Sequence, residues 1–235
     1  MTASAVRTAA GTAGAAGPAT DTGPALWLVR HGQSTWNALG LAQGHDDDAV
    51  LTRRGLRQAW TVAGRLCDQP IRTVYASDLR RALATAAPLA AVLGLRVTAD
   101  PRLRERCLGT REGTASARLD PAETGLRSGW VADPDARPAG GESVRDLYSR
   151  VAAFIGDITH SPLSGDVAVI AHGGTLRVLR AYLDSIPVEG MRWGPLANGC
   201  ILRLAVGCLS GQASTAPPAG SAPRSITHEH EEVTP

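Results

Sequence analysis

Two histidines stand in matching surroundings. Arg30-His31-Gly32 follows the apolar run Ala25-Leu26-Trp27-Leu28-Val29, and His172-Gly173-Gly174 follows Val167-Ala168-Val169-Ile170-Ala171. Short unbroken apolar runs of this kind predict strands buried on both faces. In open α/β sheets, ligands bind beyond the carboxyl ends of such strands. A glycine after each histidine would let the chain turn and leave N–H groups for an anion. Each following helix would aim its positive end at the same place. An Arg-His-Gly triplet alone reads as a structural histidine; two histidines in the same context read as an anion site.

The elements that must position these groups are legible in outline. Thr52 is an N-cap candidate, with Leu56, Ala59, Trp60, Ala63 and Leu66-Cys67 following at helical spacing. Thr73 to Ala76 reads as a strand. The helix after Ser77-Asp78 carries Leu79, Leu83 and Ala86-Ala87, with Pro88 kinking or restarting it. Residues 100–137 show weak periodicity and are expected to form a long, partly helical loop region. Ser143 with Asp146 can cap a helix whose stripe is Val144, Leu147, Val151, Phe154-Ile155 and Ile158. A helix through Leu176, Leu179 and Leu183 follows the second histidine, and Ile201 to Val206 offers a last strand. Strands alternating with helices predict a three-layer α/β/α sandwich with a largely parallel central sheet.

Composition narrows the chemistry. All 24 basic residues among the 235 are arginine. Without lysine there can be no Walker-type phosphate loop, no Schiff base on a lysine amine and no Ser-Lys pair. The remaining cations are planar, permanently charged donors suited to phosphate or carboxylate. A formal net charge of +2, with basic and acidic residues interspersed, gives no argument for nucleic acid. Nothing approaches the ~18 consecutive apolar residues of a membrane helix.

Residues 1–24, rich in Ala, Gly and Thr without the apolar core of a signal peptide, are expected to be a disordered leader. Residues 209–235 are expected to be a disordered tail. One domain is expected between them, over residues 25–208. Cys67, Cys107, Cys200 and Cys208 lack zinc spacing; reduced, buried thiols in a cytoplasmic protein are the expectation.

Five ordered segments resemble the histidine phosphatase superfamily, the phosphoglycerate-mutase-like enzymes. Leu28 to Asn37, reading LVRHGQSTWN, is similar to its opening motif. Gln43-Gly44, Leu51-Thr52, Gly55 and Gln58-Ala59 are similar to the stretch that follows. Ala76 to Ala82 with Thr85-Ala86 resembles the second arginine motif. Leu103-Arg104-Glu105 with Gly109 and Glu112-Gly113 resembles the segment carrying the acid. Gly140 to Ser143, leading to Ala171 to Gly174, completes the series.

The resemblance implies that His31 is the nucleophile, forming a phosphohistidine without the activating base a serine would need. It implies a phosphate pocket of Arg30, Arg81 and His172, with Ser34, Asn37 and Gly173 as further phosphate or substrate contacts. Arg80 and Arg81 point about 100° apart on a helix, so only one can face the site; the resemblance selects Arg81. It implies Glu105 as general acid and then general base, whereas by itself Glu105 would read as a surface carboxylate among Arg102, Arg104 and Arg106. No cofactor and no metal are expected. Asp46-Asp47-Asp48 reads as a solvated run, His228 and His230 as a compositional tract, and His45 and His160 as surface residues.

These features predict a phosphatase acting on a small phosphorylated metabolite, with no nucleic-acid or membrane partner. Two alternatives remain at this point. One is mutase-type phosphoryl transfer within a phosphoglycerate; such enzymes of this family carry a lysine toward the substrate carboxylate, and Arg106 directly after Glu105 looks mutase-like. The other is a non-catalytic module that binds a phosphorylated ligand. Thr110-Arg111 stands where an aromatic residue is frequent in the family, which leaves the substrate itself, and the oligomeric state, open.

Overall fold

A computed structural model describes residues 23–160 and 162–205. The expected leader, apart from Gly23 and Pro24, and the expected tail, Val206, Cys208, His228 and His230 lie outside the described residues. Among the described residues there are seven strands: β1 (Ala25–Arg30), β2 (Ile71–Ala76), β3 (Val97–Ala99), β4 (Leu126–Arg127), β5 (Trp130–Val131), β6 (Asp166–Ala171) and β7 (Ile201–Ala205). The helices are α1 (Thr35–Leu39), α2 (Arg53–Leu66), α3 (Arg80–Leu93), α4 (Pro121–Thr124), α5 (Val144–Thr159) and α6 (Gly173–Leu183). β3, α1 and the small β4–β5 hairpin were not foreseen; each is too short to carry a periodic pattern.

The main sheet runs β3-β2-β6-β1-β7. All its pairings are parallel except that of β7 with β1, so the sheet is mixed and largely parallel as expected. Successive residues of β6 point to opposite faces. Val167, Val169 and Ala171 join Leu26 and Leu28 beneath α5 and α6. Ala168 and Ile170 join Val29 beneath α2 and α3. β6 is buried along its whole length, which is why it reads as an unbroken apolar run.

The caps follow the sequence in most cases. Thr52 accepts from the N–H of Gly55, and Ser143 and Asp146 form a reciprocal capping box. The buried stripe of α2 differs from the expected one. Gly55, Ala59, Val62, Ala63 and Leu66 face the sheet, while Leu56 and Trp60 lie outside at 48% and 61% exposure. Gly55, Ala59 and Ala63 let this helix approach closely, and Leu56 and Trp60 are turned away. α3 continues through Pro88 without a restart. Cys67, Cys107 and Cys200 are free thiols but only partly buried, contrary to the buried expectation.

Candidate active site

Parallel pairing of β1 with β6 sets the first distance. Arg30 pairs with Ala171, so His31 and His172 leave adjacent strands side by side. The N–H of His31 extends the ladder by one bond, donating to the carbonyl of Ala171 at 2.9 Å. The two imidazole centroids lie 5.0 Å apart with planes inclined by 59°, close to the ~4.8 Å between neighbouring strands.

His31 Nδ1 lies 2.7 Å from the carbonyl oxygen of Gly32. A carbonyl only accepts, so Nδ1 carries the hydrogen and Nε2 keeps its lone pair. Burial, then the charges of Arg30 and Arg81, push the His31 pKa well below the ordinary 6.5. Burial also depresses His172, helped by Arg81, His31, Arg30 and Arg150. Both rings are therefore neutral near pH 7. Both ring nitrogens of His172, with Nε of Arg30 and Nε of Arg81, are buried without hydrogen-bond partners among the described residues. Orphaned polar atoms are costly unless something occupies the space they face. Four such atoms beside the His31 ring mark the seat of a polar ligand.

Arg81 is almost fully buried, whereas Arg80 is exposed, its main-chain N–H donating to Asp47. Arg81 donates to the carbonyls of Asp46 and Gly44, at 2.6 and 2.8 Å. The same loop is gripped from its other side by Glu112, which accepts from the N–H groups of His45, Asp46 and Leu108, each at 2.9 Å. The carboxylate of Asp46 accepts from the N–H of Asp48. The acidic run thus belongs to the architecture of this loop.

The glycines act differently from the expectation. Gly32 does not offer a free N–H; it donates to Thr85 Oγ1 at 3.0 Å. Its φ is not positive. Gly32 is required because a Cβ there would lie 2.4 Å from the carbonyl oxygen of Gly55, while one on Gly55 would lie 2.1 Å from that of Gln33. The two glycines seat the start of α2 against the His31 loop. α1, at five residues, is no anion-binding helix, for its first turn is capped by Ser34.

Glu105 Oε2 accepts from the N–H of Gly174 at 2.9 Å, and Oε1 from the N–H of Arg106 at 2.8 Å. Its main chain is held as firmly. Arg150 donates to the carbonyls of Arg102, Arg104 and Glu105, each at 2.7 Å, while pairing with Glu142 at 2.9 Å. His45 Nε2 donates to the Glu105 carbonyl at 2.8 Å. His45 is therefore half-buried behind the acid, a correction to its surface assignment; His160 is exposed as expected.

Arg30, His31, Asn37, Gln43, Gly44, Arg81, Glu105 and His172 line one cavity of about 200 Å³. A larger, open hollow of about 460 Å³ lies at the opposite end of the sheet. There Asp166 is occupied by the Ala25 N–H and the Trp27 indole, so that hollow has no comparable unpaired group.

A sequence model described as the histidine phosphatase superfamily, branch 1, matches residues 26–208. This chain belongs to that superfamily. It is 35% identical over 180 residues to a Yersinia pestis (strain Pestoides F) protein named "Probable phosphoglycerate mutase GpmB", across 76% of this chain and 83% of the relative. Among solved structures it resembles a mycobacterial glucosyl-3-phosphoglycerate phosphatase in complex with VO3. The TM-score is 0.69 at 33% identity, covering 77% of this chain and 92% of the other. It also resembles Bacillus stearothermophilus YhfR, with TM-score 0.66 at 26% identity over 77% and 90% of the two chains.

In this member of the superfamily, two residues expected at the site stand apart from the cavity. Ser34 accepts from the Asn37 N–H and donates to Gln43 Oε1, so its hydroxyl closes α1 and does not face the ligand space. Gly174, and not Gly173, lines the cavity; Gly173 lies beneath the guanidinium groups of Arg177 and Arg30. Asn37 is aimed by Asn198, whose Nδ2 donates to Asn37 Oδ1 at 2.9 Å and to the His31 carbonyl at 3.1 Å. Arg177 and Trp193 line the cavity and were not singled out from the sequence. Arg177 falls one turn into α6, where an arginine ordinarily reads as solvated.

Proposed function

We propose that this chain hydrolyses a small phosphomonoester through a phosphohistidine on His31. The reading is carried by the fixed tautomer of His31, which presents a neutral Nε2 among the unpartnered donors of Arg30, Arg81 and His172. Phosphoryl transfer demands chiefly positioning and neutralisation of the equatorial oxygens, and these groups supply both. His31 Nε2 attacks phosphorus as the ester P–O bond breaks, and Glu105 delivers its proton to the leaving oxygen. Water then attacks the phosphohistidine; Glu105 takes the proton of that water, and Nε2 leaves with its electron pair restored. No residue in this sequence of steps calls for a metal or an organic cofactor.

Arg106 supports hydrolysis over mutase-type transfer. It is buried, and it donates to the carbonyls of Glu142, Thr124 and Ala136 at 2.7, 2.6 and 3.1 Å. That guanidinium braces the cavity wall, with three of its five N–H donors committed to main-chain carbonyls. Retention of His31, Arg81, Glu105 and His172 in one cavity speaks against a binding module without turnover. A small metabolite as the sole partner, and a cytoplasmic setting, fit this reading; among the described residues no helix is long and apolar enough to cross a membrane.

The test is rapid quenching of the purified protein, in EDTA, with a panel of monoesters and 3-phosphoglycerate. An acid-labile phosphoenzyme that decays to inorganic phosphate, absent from His31→Ala, is expected. Isomerisation of the glycerate without release of phosphate would establish the mutase reading instead.

A further inference from the structure

Residues 196–200, just before β7, wrap the end of β1 that carries the nucleophile. The carbonyl of Leu196 accepts from Nη1 of Arg30. The carbonyl of Cys200 accepts from the Arg30 N–H at 3.1 Å, and the Gly199 N–H donates back to the carbonyls of Arg30 and His31 at 3.0 and 3.3 Å. Gly199 can turn that way because its φ is +73°, in the left-handed region that favours glycine. Gln58 of α2 locks the turn from its other side. Its Nε2 donates to the Asn198 carbonyl at 3.1 Å, while its Oε1 accepts from the Gln33 N–H at 2.8 Å.

The side chain of Asn198 sits at the centre of this wrap. A main-chain carbonyl can only accept, so the bond to the His31 carbonyl identifies the Asn198 atom as Nδ2. That nitrogen also meets the Asn37 amide, and the main-chain N–H of Ser34 meets the same Asn37 atom at 3.1 Å. Two donors converge there, so the atom is the amide oxygen, Oδ1. The other end of the amide, Nδ2, has no partner among the described residues and is left for the cavity that Asn37 lines. The ligand space thereby receives N–H donors from Asn37. An amide turned over would present lone pairs to an oxyanion instead. Asn198 itself does not line the cavity, so it acts through Asn37.

We infer that Asn198 is a positioning residue for phosphoryl transfer, fixing the Asn37 amide as a donor to the transferred group. The inference rests on the phosphate seat of the proposed function, but it concerns how an oxyanion is held and stands whether or not water is the acceptor.

A double-mutant cycle on vanadate binding, read by titration calorimetry of the full-length protein, tests it. Asn198→Asp keeps the shape but turns lone pairs toward Asn37 Oδ1, which drives the Asn37 amide to turn over. Vanadate affinity is expected to fall at least ~10-fold, against ~3-fold in Asn198→Ala, where the Ser34 N–H alone still holds Asn37. In the Asn37→Ala background the Asn198→Asp loss should shrink at least ~5-fold. The Asn198→Ala loss should disappear there, which keeps the test decisive even if Asn198→Asp does not fold. Losses of equal size in the two backgrounds overturn the inference, because charge or misfolding acts whether Asn37 is present or not. Native affinity in both variants overturns it too. Single-turnover kinetics add a second readout: phosphoenzyme formation should slow by the same factor on alkyl and aryl esters, since Asn37 faces the transferred group and not the leaving oxygen. A loss confined to alkyl esters would tie Asn198 to the acid Glu105 and overturn the inference. The expected vanadate pattern in a protein that turns over no ester would overturn the phosphatase reading and leave this one standing.

Discussion

The carboxylate of Glu105 hangs from the main-chain N–H of Gly174, 2.9 Å away, on the first turn after His172. The acid and the second imidazole are therefore mounted on one rigid junction, the passage from β6 into α6. A Cβ on Gly174 would fall 2.2 Å from Glu105 Oε1. The glycine is the room in which the acid sits.

Glu105→Gln keeps the shape but cannot deliver a proton. A kcat loss of ~10²- to 10⁴-fold is expected on alkyl phosphates, which need protonation of the departing oxygen. On p-nitrophenyl phosphate, whose leaving group is stable as an anion, the first step should slow far less. Vanadate affinity should stay within ~3-fold. A loss of equal size on both ester types, measured by single-turnover kinetics, would remove Glu105 from the proton-transfer role.

Arg150 acts on the acid at one remove. Arg150→Met takes away the donors to the carbonyls of Arg102, Arg104 and Glu105 and the pairing with Glu142. Unfolding stability is expected to drop by about 2–4 kcal/mol. Because the group positions Glu105, kcat should fall more for alkyl than for aryl esters, with KM nearly constant. Urea titration and a two-substrate kinetic comparison check the two halves.

Gly32→Ala forces a methyl group to within 2.4 Å of the Gly55 carbonyl oxygen. Main chain cannot swing aside as a flexible side chain can, so a cost of about 1–3 kcal/mol is expected. His31 lies next in the chain, and kcat should fall along with stability. Gly64→Ala, where an added Cβ meets nothing within 4 Å, serves as the matched control and should not destabilise α2.

The buried histidines set the acid limit of stability. His31 and His172 have folded-state pKa values well below their unfolded value of 6.5. Between the two values the unfolded chain binds more protons, so stability is full above about pH 6.5 and declines as the pH falls toward the folded values. Differential scanning calorimetry should show Tm falling below pH 6.5 more steeply in the native protein than in His172→Asn. Parallel slopes would mean that His172 is not held neutral.

Much of this was legible before any coordinates. Residues 25–29 of β1 and 167–171 of β6 are unbroken apolar runs, and the Ser143–Asp146 cap is a local pattern, so both could be read directly. The network around Glu105 could not. Arg150 lies 45 positions away in sequence from the carbonyl it supports, and His45 reaches that carbonyl from the loop between α1 and α2. Nothing in either local pattern marks them. Arg177 escaped because helical spacing cannot tell a solvated arginine from one turned into a cavity. Leu56 and Trp60 were misplaced for a related reason: size suggested burial, but the face seated on the sheet carries Gly55, Ala59 and Ala63 beside Val62 and Leu66.

His31 and His172 owe their separation to the main-chain ladder between β1 and β6, and so to no side chain at all. The residues that shape the outer cavity, such as Leu108, Leu119 and Leu126, come from the irregular stretch after Glu105. The histidine pair and much of the outer wall thus occupy different lengths of the chain. The second can be rewritten, by exchange of that stretch between relatives, without disturbing the first.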